Sequence, residues 1–258
     1  MRIHFCKYQG AGNDFILLDN RNEDIRLSQE QIARLCDRHF GIGADGLMLL
    51  QHHAGADFEM IYYNADGRES TMCGNGGRCI AAFARKLGIS QEPLSFKAID
   101  GMHEAWFLPS GEVALHMQDV HTIEWAEDFV LLDTGSPHYV LWVADVAIVD
   151  VETEGRKIRQ QERFMPAGIN VNFVHKKDDT LFIRTYERGV EAETLACGTG
   201  ITAAAIASTG KATGSFHIPV QARGGKLSVA FEKTASGQVQ NIVLKGPAQK
   251  VFEGSIDL

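Results

Sequence analysis

Apolar and polar residues alternate along several short segments of the chain, as they do in β-strands that bury one face. Residues 95–99 and 113–117 show the alternation clearly. Turn-forming pairs follow or precede such segments, at Asp100-Gly101, Ser110-Gly111 and Ser236-Gly237. Pairs of this kind are typical of the tight turns that join antiparallel strands. The pattern therefore predicts strands and hairpins over much of the chain.

Three further segments have the pattern of helices. One is predicted over Gln29–Arg38, because Ser28 can serve as its N-cap and Gln31 can complete a capping box. The other two contain residues 80–83 and 201–206 and are apolar nearly all round. Helices of that kind are buried, so we expect each of these two to be wrapped by its own sheet.

The two apolar helical segments follow the same short phrase, in which a cysteine enters a glycine-rich turn. The phrases read Cys73-Gly74-Asn75-Gly76-Gly77 and Cys197-Gly198-Thr199-Gly200. A cysteine at a helix N-terminus gains thiolate character, with a pKa lowered by about one unit at most. The same turn offers backbone N–H groups to an anion. One such turn suggests a reactive thiol, and two suggest a site built from a pair of thiols.

A weaker repeat accompanies the cysteine phrases. Phe15 precedes Cys73 by 58 positions, Tyr139 precedes Cys197 by the same number, and each aromatic residue leads a strand-like run. Matched spacing of this kind indicates an internal duplication, with the crossover near residue 118.

The duplication predicts an α+β fold of two pseudo-symmetric lobes. Each lobe is expected to be a curved, mostly antiparallel and barrel-like sheet around a central helix, with the two thiols facing each other across a cleft. We expect residues 1–118 to form the N-terminal lobe, completed by a C-terminal strand at about 250–258. Residues 119–249 then form the C-terminal lobe.

Composition narrows the class of protein. Of the 258 residues, 25 are basic and 33 acidic, and a net charge of −8 repels nucleic acid. No apolar stretch is long enough to span a membrane, and the first residues lack the apolar core of a signal peptide. An odd count of five cysteines favours reduced thiols, so a cytoplasmic location is expected. The sequence leaves open whether two copies of the chain form a homodimer.

Two thiols on opposite faces of one carbon can invert it, because one removes a proton and the other returns one. Ionising one thiol makes the second harder to ionise, which favours the mixed state that inversion needs. Proton removal beside a carboxylate adds negative charge, which the N–H groups of Gly74-Asn75 and Gly198-Thr199 could stabilise. The pattern predicts a racemase or epimerase of an α-amino acid. We expect it to need no cofactor and no metal.

Phrases spread over essentially the whole chain resemble those of the diaminopimelate epimerases. They are Gly10–Phe15, Arg38–Gly46, Tyr63–Gly67, Cys73–Cys79, Tyr186–Gly189 and Ala196–Gly200. The resemblance implies interconversion of LL- and meso-diaminopimelate, a small-molecule substrate on the bacterial route to lysine and peptidoglycan. It also implies that Cys73 and Cys197 are the catalytic thiols and that no cofactor takes part.

The same resemblance implies a set of substrate contacts, at Asn13, Asn64, Gly74, Asn75, Asn170, Glu187, Arg188, Gly198 and Thr199. Asparagine amides can bind the distal amino-acid group without titrating, and arginine suits a carboxylate. His138 and Glu187 fall where the family tunes its thiols. Gly46 and Ser136 replace a glutamine and an asparagine of some relatives and are left out of the predicted site. Asp14 and Asp45 are interpreted as capping or turn residues.

Two other functions stay open at this point. The first is racemisation or epimerisation of another amino acid, such as proline or hydroxyproline, on the same scaffold. The second, of a different class, is a thiol redox or sensor protein in which Cys73 and Cys197 cycle through a disulfide. Identifying the amino acid that loses its α-proton separates the first from diaminopimelate epimerisation. Protection of the thiols by substrate against alkylation separates an epimerase from a redox protein.

Overall fold

A computed structural model describes residues 2–89 and 91–258. These residues form two compact units. The first comprises the described residues up to Leu115 together with Gly246–Leu258, and the second comprises His116–Lys245. Within the described ranges, no helix is both long and apolar enough to cross a membrane.

The first unit is a sheet with two helices. Its elements are β1 (Arg2–Gly10), β2 (Asn13–Asp19), α1 (Gln29–Cys36), β3 (Gly46–Gln51), β4 (Phe58–Asn64), α2 (Gly74–Lys86), β5 (Leu94–Ala98), β6 (Gly101–Phe107), β7 (Val113–His116) and β17 (Gln249–Asp257). The strands pair in the order β17-β1-β2-β3-β4-β5-β6-β7. In the described part of this unit, β2–β3 and β4–β5 pair in parallel and the other pairs are antiparallel.

The second unit repeats this arrangement. Its elements are β8 (Ile123–Trp125), β9 (Phe129–Asp133), β10 (Pro137–Trp142), a 3-10 turn (Val146–Ile148), α3 (Val151–Arg159), a second 3-10 turn (Glu162–Phe164), β11 (Asn170–Lys177), β12 (Thr180–Glu187), β13 (Ala192–Thr194), α4 (Gly198–Ala207), β14 (Gly214–Ala222), β15 (Gly225–Lys233) and β16 (Val239–Gly246). The main order is β8-β9-β10-β11-β12-β14-β15-β16. Here β10–β11 and β12–β14 are the parallel pairs.

The predicted α+β class is confirmed. Each unit is dominated by a mostly antiparallel sheet, and one buried helix, α2 or α4, packs against it. Among the described residues, no pairing joins the first and last strands within either unit, so each sheet is open rather than a closed barrel. The helix α4 is apolar all round, as predicted, whereas α2 contains Arg78, whose side chain is fully buried.

The capping box predicted for α1 is present. The Ser28 hydroxyl accepts a hydrogen bond from the Gln31 amide at 3.3 Å, and the Gln31 side chain accepts one from the Ser28 amide at 2.9 Å. The helix ends at Cys36, two residues before the predicted Arg38, because Asp37 is extended with ψ 128°.

Strand register corrects the predicted repeat by one position. Phe15 lies beside Gly46 in the first unit, and His138 lies beside Asn170 at the corresponding parallel pair. The prediction that Phe15 corresponds to Tyr139 is therefore wrong, and His138 is the equivalent residue. The connection from β10 to β11 is one residue longer than that from β2 to β3. Spacing to the cysteine alone could not locate that extra residue.

Two more equivalences follow from this register. Met48 pairs with Tyr62 in the first unit, and Asn172 pairs with Thr185 in the second. We call Phe15, Met48 and Tyr62 the apolar layer, and His138, Asn172 and Thr185 the polar layer. Both layers are buried, and each packs within its unit near the helix that follows the cysteine.

Candidate active site

Cys73 is the N-cap residue of α2. Its backbone is extended (φ −106°, ψ 149°), and its Sγ atom accepts a hydrogen bond from the Gly76 amide at 3.2 Å. The turn packs closely on Met48, because a Cβ atom at position 76 would lie 2.4 Å from the Cε atom of that side chain. The sulfur therefore lies at the positive end of a helix, where negative charge is stabilised.

Asn13 is held beside Cys73 in a single orientation. Its Nδ2 donates to an Asp45 carboxylate oxygen at 2.6 Å, and its Oδ1 accepts from Nδ2 of Asn75 at 3.4 Å. A carboxylate only accepts, so the amide nitrogen of Asn13 must face Asp45. The oxygen then faces the thiol, with Oδ1 4.0 Å from the Cys73 sulfur.

Asp14 and Asp45 belong to a charged cluster, which corrects their interpretation as capping or turn residues. Arg38 donates to Oδ1 of Asp14 at 2.8 Å and to Oδ1 of Asp45 at 2.7 Å. The Lys7 ammonium lies 2.8 Å from Asp14. Burial raises the pKa of Asp14, but hydrogen bonds from Arg38 and Lys7 outweigh it and lower that pKa to about 2. The cluster fixes the carboxylate that orients Asn13.

Arg78 is a fully buried cation in α2, four residues beyond the start of the helix. Its guanidinium donates to the Gly74 carbonyl at 3.0 Å, to Oδ1 of Asn75 at 2.8 Å and to the Pro247 carbonyl at 3.3 Å. Burial lowers the pKa of Arg78 from its usual value. These bonds fix the Asn75 side chain and bring positive charge to the helix end that carries Cys73.

Asn64 and Glu187 occupy the final positions of the equivalent strands β4 and β12. Asn64 is exposed and pairs across the sheet with Gly46. A Cβ atom at Gly46 would lie 2.5 Å from the Tyr62 ring, so this position has no room for a longer side chain. Glu187 accepts a hydrogen bond from the Thr194 hydroxyl at 2.8 Å.

Cys197 is the N-cap residue of α4 and is 8% exposed. Its Sγ atom lies 3.4 Å from the Thr199 hydroxyl oxygen, and the Thr199 carbonyl accepts from the Thr134 hydroxyl at 2.8 Å. Three residues after the cysteine, a Cβ atom at Gly200 would lie 2.4 Å from Oδ1 of Asn172. The turn therefore packs tightly on the polar layer.

Asn170 joins Arg188 to Ser136. Its Nδ2 donates to the Ser136 hydroxyl at 2.9 Å and to the Pro137 carbonyl at 3.0 Å, while its Oδ1 accepts from the Arg188 amide at 2.9 Å. The Arg188 guanidinium donates to the Ser136 hydroxyl at 3.2 Å. The side chain of Asn170 thus bonds to the protein at both ends and positions the arginine.

His138 is completely buried, with one ring nitrogen, Nδ1, 3.1 Å from Nδ2 of Asn172. The Asn172 Oδ1 accepts from the Thr185 hydroxyl at 3.0 Å. Burial, with a smaller contribution from the charge of Arg188, lowers the pKa of His138 to about 3. The imidazole is therefore neutral at physiological pH.

One group of side chains within residues 2–89 and 91–258 has the spacing of metal ligands. It consists of His4, Cys6 and Glu253 and includes none of the predicted site residues. The Lys86 ammonium contacts both Glu253 and the Cys6 sulfur, so a cation already occupies this cluster.

Several residues of these networks were not among the predicted site residues: Asp45, Arg78, Ser136, Asn172 and Thr185. Asn172 and Thr185 carried only a weak signal, because each is a polar residue flanked by apolar or aromatic residues on at least one side in a strand that contains other polar residues. Ser136 was set aside because it departs from an asparagine of some relatives. The structure nevertheless makes it a shared acceptor for two predicted residues.

Comparison with known proteins gives a consistent family match. The family model described as diaminopimelate epimerase matches residues 5–122 and 130–251. A diaminopimelate epimerase of Flavobacterium psychrophilum is 51% identical over 254 residues, covering 97% of this chain and 98% of the relative. One of Chlorobaculum tepidum is 45% identical over 262 residues, covering 96% and 99%.

Solved structures of lower identity share the fold. A Bacillus anthracis phenazine biosynthesis protein of the PhzF family superimposes with a TM-score of 0.79 at 14% identity, covering all of both chains. A probable proline racemase from Agrobacterium radiobacter has a TM-score of 0.72 at 17% identity, covering 99% of this chain and 93% of its own. At these identities the likeness establishes the fold alone.

Proposed function

Because this chain belongs to the diaminopimelate epimerase family, we propose that it interconverts LL- and meso-diaminopimelate. Such a protein is an isomerase that inverts one α-carbon, in the biosynthesis of lysine. The observation that carries the proposal within the chain is the pair of cysteines at equivalent helix N-termini, Cys73 on α2 and Cys197 on α4.

In the proposed mechanism one cysteine removes the α-proton as a thiolate and the other returns a proton as a thiol. The amide of Gly76 supports negative charge on Cys73, and the hydroxyl of Thr199 lies against Cys197. The two sulfurs thus have different hydrogen-bond partners in otherwise equivalent turns. Exchange of their roles would run the reaction in the opposite direction.

Proton removal from the α-carbon places further negative charge on the substrate's carboxylate. Backbone N–H groups at Gly74, Asn75, Gly198 and Thr199 stand at two helix N-termini, which favour anions. We assign the reacting carboxylate to these groups. They would stabilise the transition state without a cofactor, because their dipoles are fixed before the charge develops.

The distal amino-acid group is assigned to polar side chains. Asn64 is exposed at a strand end, and Asn13 and Arg188 are held by their neighbours. Asn170 contributes by holding Arg188. His138 and Glu187 are assigned to tuning the thiols. The cytoplasm is the proposed location, where the five free cysteines would stay reduced.

The test is an exchange assay in deuterated water with LL-diaminopimelate, reductant and no added cofactor. The wild type should form the meso isomer with deuterium at one α-carbon. Cys73→Ala and Cys197→Ala should each lower that rate by about 10²-fold or more, the range for loss of a proton-transfer group. Cys79→Ala is the matched control, because Cys79 is fully buried in the same helix as Cys73.

Absence of exchange in the wild type, with exchange of proline or hydroxyproline under the same conditions, would assign the site to another amino acid. Full activity of either cysteine variant would overturn the two-thiol mechanism. Protection of Cys73 from alkylation by diaminopimelate is expected. A lack of protection together with dithiol turnover would point to redox chemistry.

A further inference from the structure

The polar layer contains a fixed amide. Nδ2 of Asn172 lies 3.0 Å from the Tyr139 carbonyl oxygen, and Oδ1 lies 3.0 Å from the Thr185 hydroxyl. A carbonyl oxygen can only accept, so the atom facing it must be the nitrogen. The reversed amide would set two oxygens against each other at that distance. The side chain of Asn172 therefore has one allowed orientation.

This orientation determines the protonation of His138. One hydrogen of the Asn172 amide goes to Tyr139, and the other points at Nδ1 of His138, 3.1 Å away. Nδ1 must then be the accepting nitrogen, which leaves the single proton of the neutral ring on Nε2. In the alternative tautomer and in the imidazolium, Nδ1 carries a hydrogen that would point at the amide hydrogen of Asn172. Neither state fits this contact.

The other nitrogen of the ring has a different environment. Nε2 of His138 is buried and has no hydrogen-bond partner among the residues that the structure describes. A buried donor left without an acceptor destabilises the fold. A donor retained despite that penalty is suited to a ligand atom that accepts a hydrogen bond.

The fold itself does not require this polar layer. In the first unit, the equivalent positions of β2, β3 and β4 hold Phe15, Met48 and Tyr62. The two positions equivalent to His138 and Asn172 hold the apolar side chains of Phe15 and Met48, and Met48 packs against Gly76 of α2. The architecture therefore does not require an imidazole and an amide at these positions of the second unit.

We propose that Asn172, anchored by Thr185, is a positioning residue that keeps the proton of His138 on Nε2. His138 then acts as a hydrogen-bond donor to an anionic group of the reacting system, and not as the base that takes a proton from it. The proposal rests on the proposed function only for the identity of the reaction. The assigned tautomer follows from the contacts of the second unit alone.

The direct test is nuclear magnetic resonance of ¹⁵N-histidine-labelled protein, in which the two ring nitrogens report their protonation separately. The His138 signals are assigned by their loss in His138→Gln. In the wild type, Nε2 should carry the proton and Nδ1 should be unprotonated near neutral pH. A proton on Nδ1 in the wild type would overturn the proposal, whatever the variants do.

The decisive variant is Asn172→Asp, which replaces the donor by a carboxylate of nearly the same shape. A carboxylate accepts, so the proton should move to Nδ1 of His138. Asn20→Asp is the matched control, because Asn20 is also a buried asparagine, bonded on both sides to Ile25. The control should leave the His138 signals unchanged. An unprotonated Nδ1 in Asn172→Asp would contradict the assignment.

A second pair of variants tests the anchor. Thr185→Val removes the hydroxyl that donates to Oδ1 of Asn172, while the Tyr139 carbonyl still fixes which way the amide faces. The less constrained amide should bond to Nδ1 of His138 more weakly, so the Nδ1 signal should shift while the proton stays on Nε2. Thr185→Ser retains the hydroxyl and should restore the wild-type Nδ1 signal. Equal spectra for the two variants would refute the role of the anchor. This pair also keeps the proposal testable if Asn172→Asp does not fold.

Steady-state kinetics of the same variants provide the last test. If His138 donates to charge that develops in the transition state, Asn172→Asp should lower kcat by about 10²- to 10³-fold with little change in KM. Thr185→Ser, which retains the anchoring hydroxyl, should keep most of the wild-type kcat. A wild type with the assigned tautomer but no epimerase activity would refute the proposed function and leave the positioning role intact. A changed tautomer with undiminished kcat would refute the donor role.

Discussion

Replacing Gly200 by alanine should destabilise the second unit, although alanine is the better helix former. The added Cβ atom would lie 2.4 Å from Oδ1 of Asn172 and 3.4 Å from its Cγ atom. Oδ1 would have to move by about 0.6 Å to reach even 3.0 Å. The amide of Asn172 cannot make that shift freely, because three hydrogen bonds hold it.

The magnitude follows from those bonds. A shift of that size stretches the bond of 3.0 Å from Thr185 to Asn172 beyond the usual limit and tilts the amide away from Tyr139. Each buried group left unsatisfied costs about 1–3 kcal/mol. Replacing glycine by alanine within a helix stabilises the fold by up to about 1 kcal/mol through the higher helix propensity of alanine. The free energy of unfolding should therefore fall by about 1–4 kcal/mol.

Gly76→Ala provides the matched control in the first unit. Gly76 has the same position after its cysteine, and its Cβ atom would also lie 2.4 Å from a neighbour. That neighbour is the terminal Cε atom of Met48, which a change of rotamer can move aside. The free energy of unfolding of Gly76→Ala should stay within about 1 kcal/mol of the wild type, since the gain in helix propensity offsets part of the repacking.

Urea unfolding followed by circular dichroism measures both variants, and hydrogen exchange of the α4 amides localises the effect. The double variant Gly200→Ala/Asn172→Ala should recover part of the loss, with a coupling energy of about 1 kcal/mol or more. An equal free energy of unfolding for Gly200→Ala and Gly76→Ala would refute the reasoning. Strictly additive effects of the two substitutions in the double variant would also refute it.

Three further predictions follow from buried and charged groups. Because Arg38 and Lys7 lower the pKa of Asp14 to about 2 against the effect of burial, its ionisation stabilises the fold above pH 3.8, and this contribution is lost as pH falls toward 2. Asp14→Asn should weaken the dependence of the urea midpoint on pH between about 2 and 3.8. The same pH dependence in Asp14→Asn as in the wild type would contradict the ion-pair cluster. Arg78→Met leaves three acceptors without their donor, so the free energy of unfolding should fall by about 3 kcal/mol or more in a urea titration; a loss under 1 kcal/mol would be inconsistent with these bonds. Burial raises the pKa of Cys79 to about 12, so iodoacetamide at pH 8 should leave native Cys79 unlabelled by peptide mass spectrometry, and rapid labelling would refute its burial.

Local signals in the sequence predicted the elements that carry the candidate thiols. The glycine-rich turns after Cys73 and Cys197 start helices as expected, because an extended N-cap followed by glycines and alanines leads directly into α2 and α4. The capping box of Ser28 and Gln31 was equally readable, since both halves of that interaction lie within four residues. Such features depend on neighbours in sequence, which a pattern can show.

Features that depend on distant partners were not readable. The repeat gave the wrong partner for Phe15, because a spacing counts residues but does not show which connection holds an additional one. The burial of Arg78 was also missed. Its acceptors include the carbonyl of Pro247, which lies 169 positions away in the sequence. The role of Ser136 likewise arises only when β10 and β11 pair and bring Asn170 beside it.

The duplication explains why the chain has two matched thiols, and the two buried layers explain how its halves came to differ. On the proposed function, an exact repeat would give both sulfurs the same surroundings, and nothing in it would distinguish the reacting end of diaminopimelate from its distal end. Recognition of one orientation needs polar groups in one half that the other lacks. With His138 and Asn172 at the positions equivalent to Phe15 and Met48, the second unit has a ring N–H donor, at Nε2 of His138, that these two positions of the first unit lack, and the strand pairing is unaltered. On the proposed role of His138, divergence of the buried layer gives the two halves different hydrogen-bonding groups, while each half retains a cysteine at a helix N-terminus.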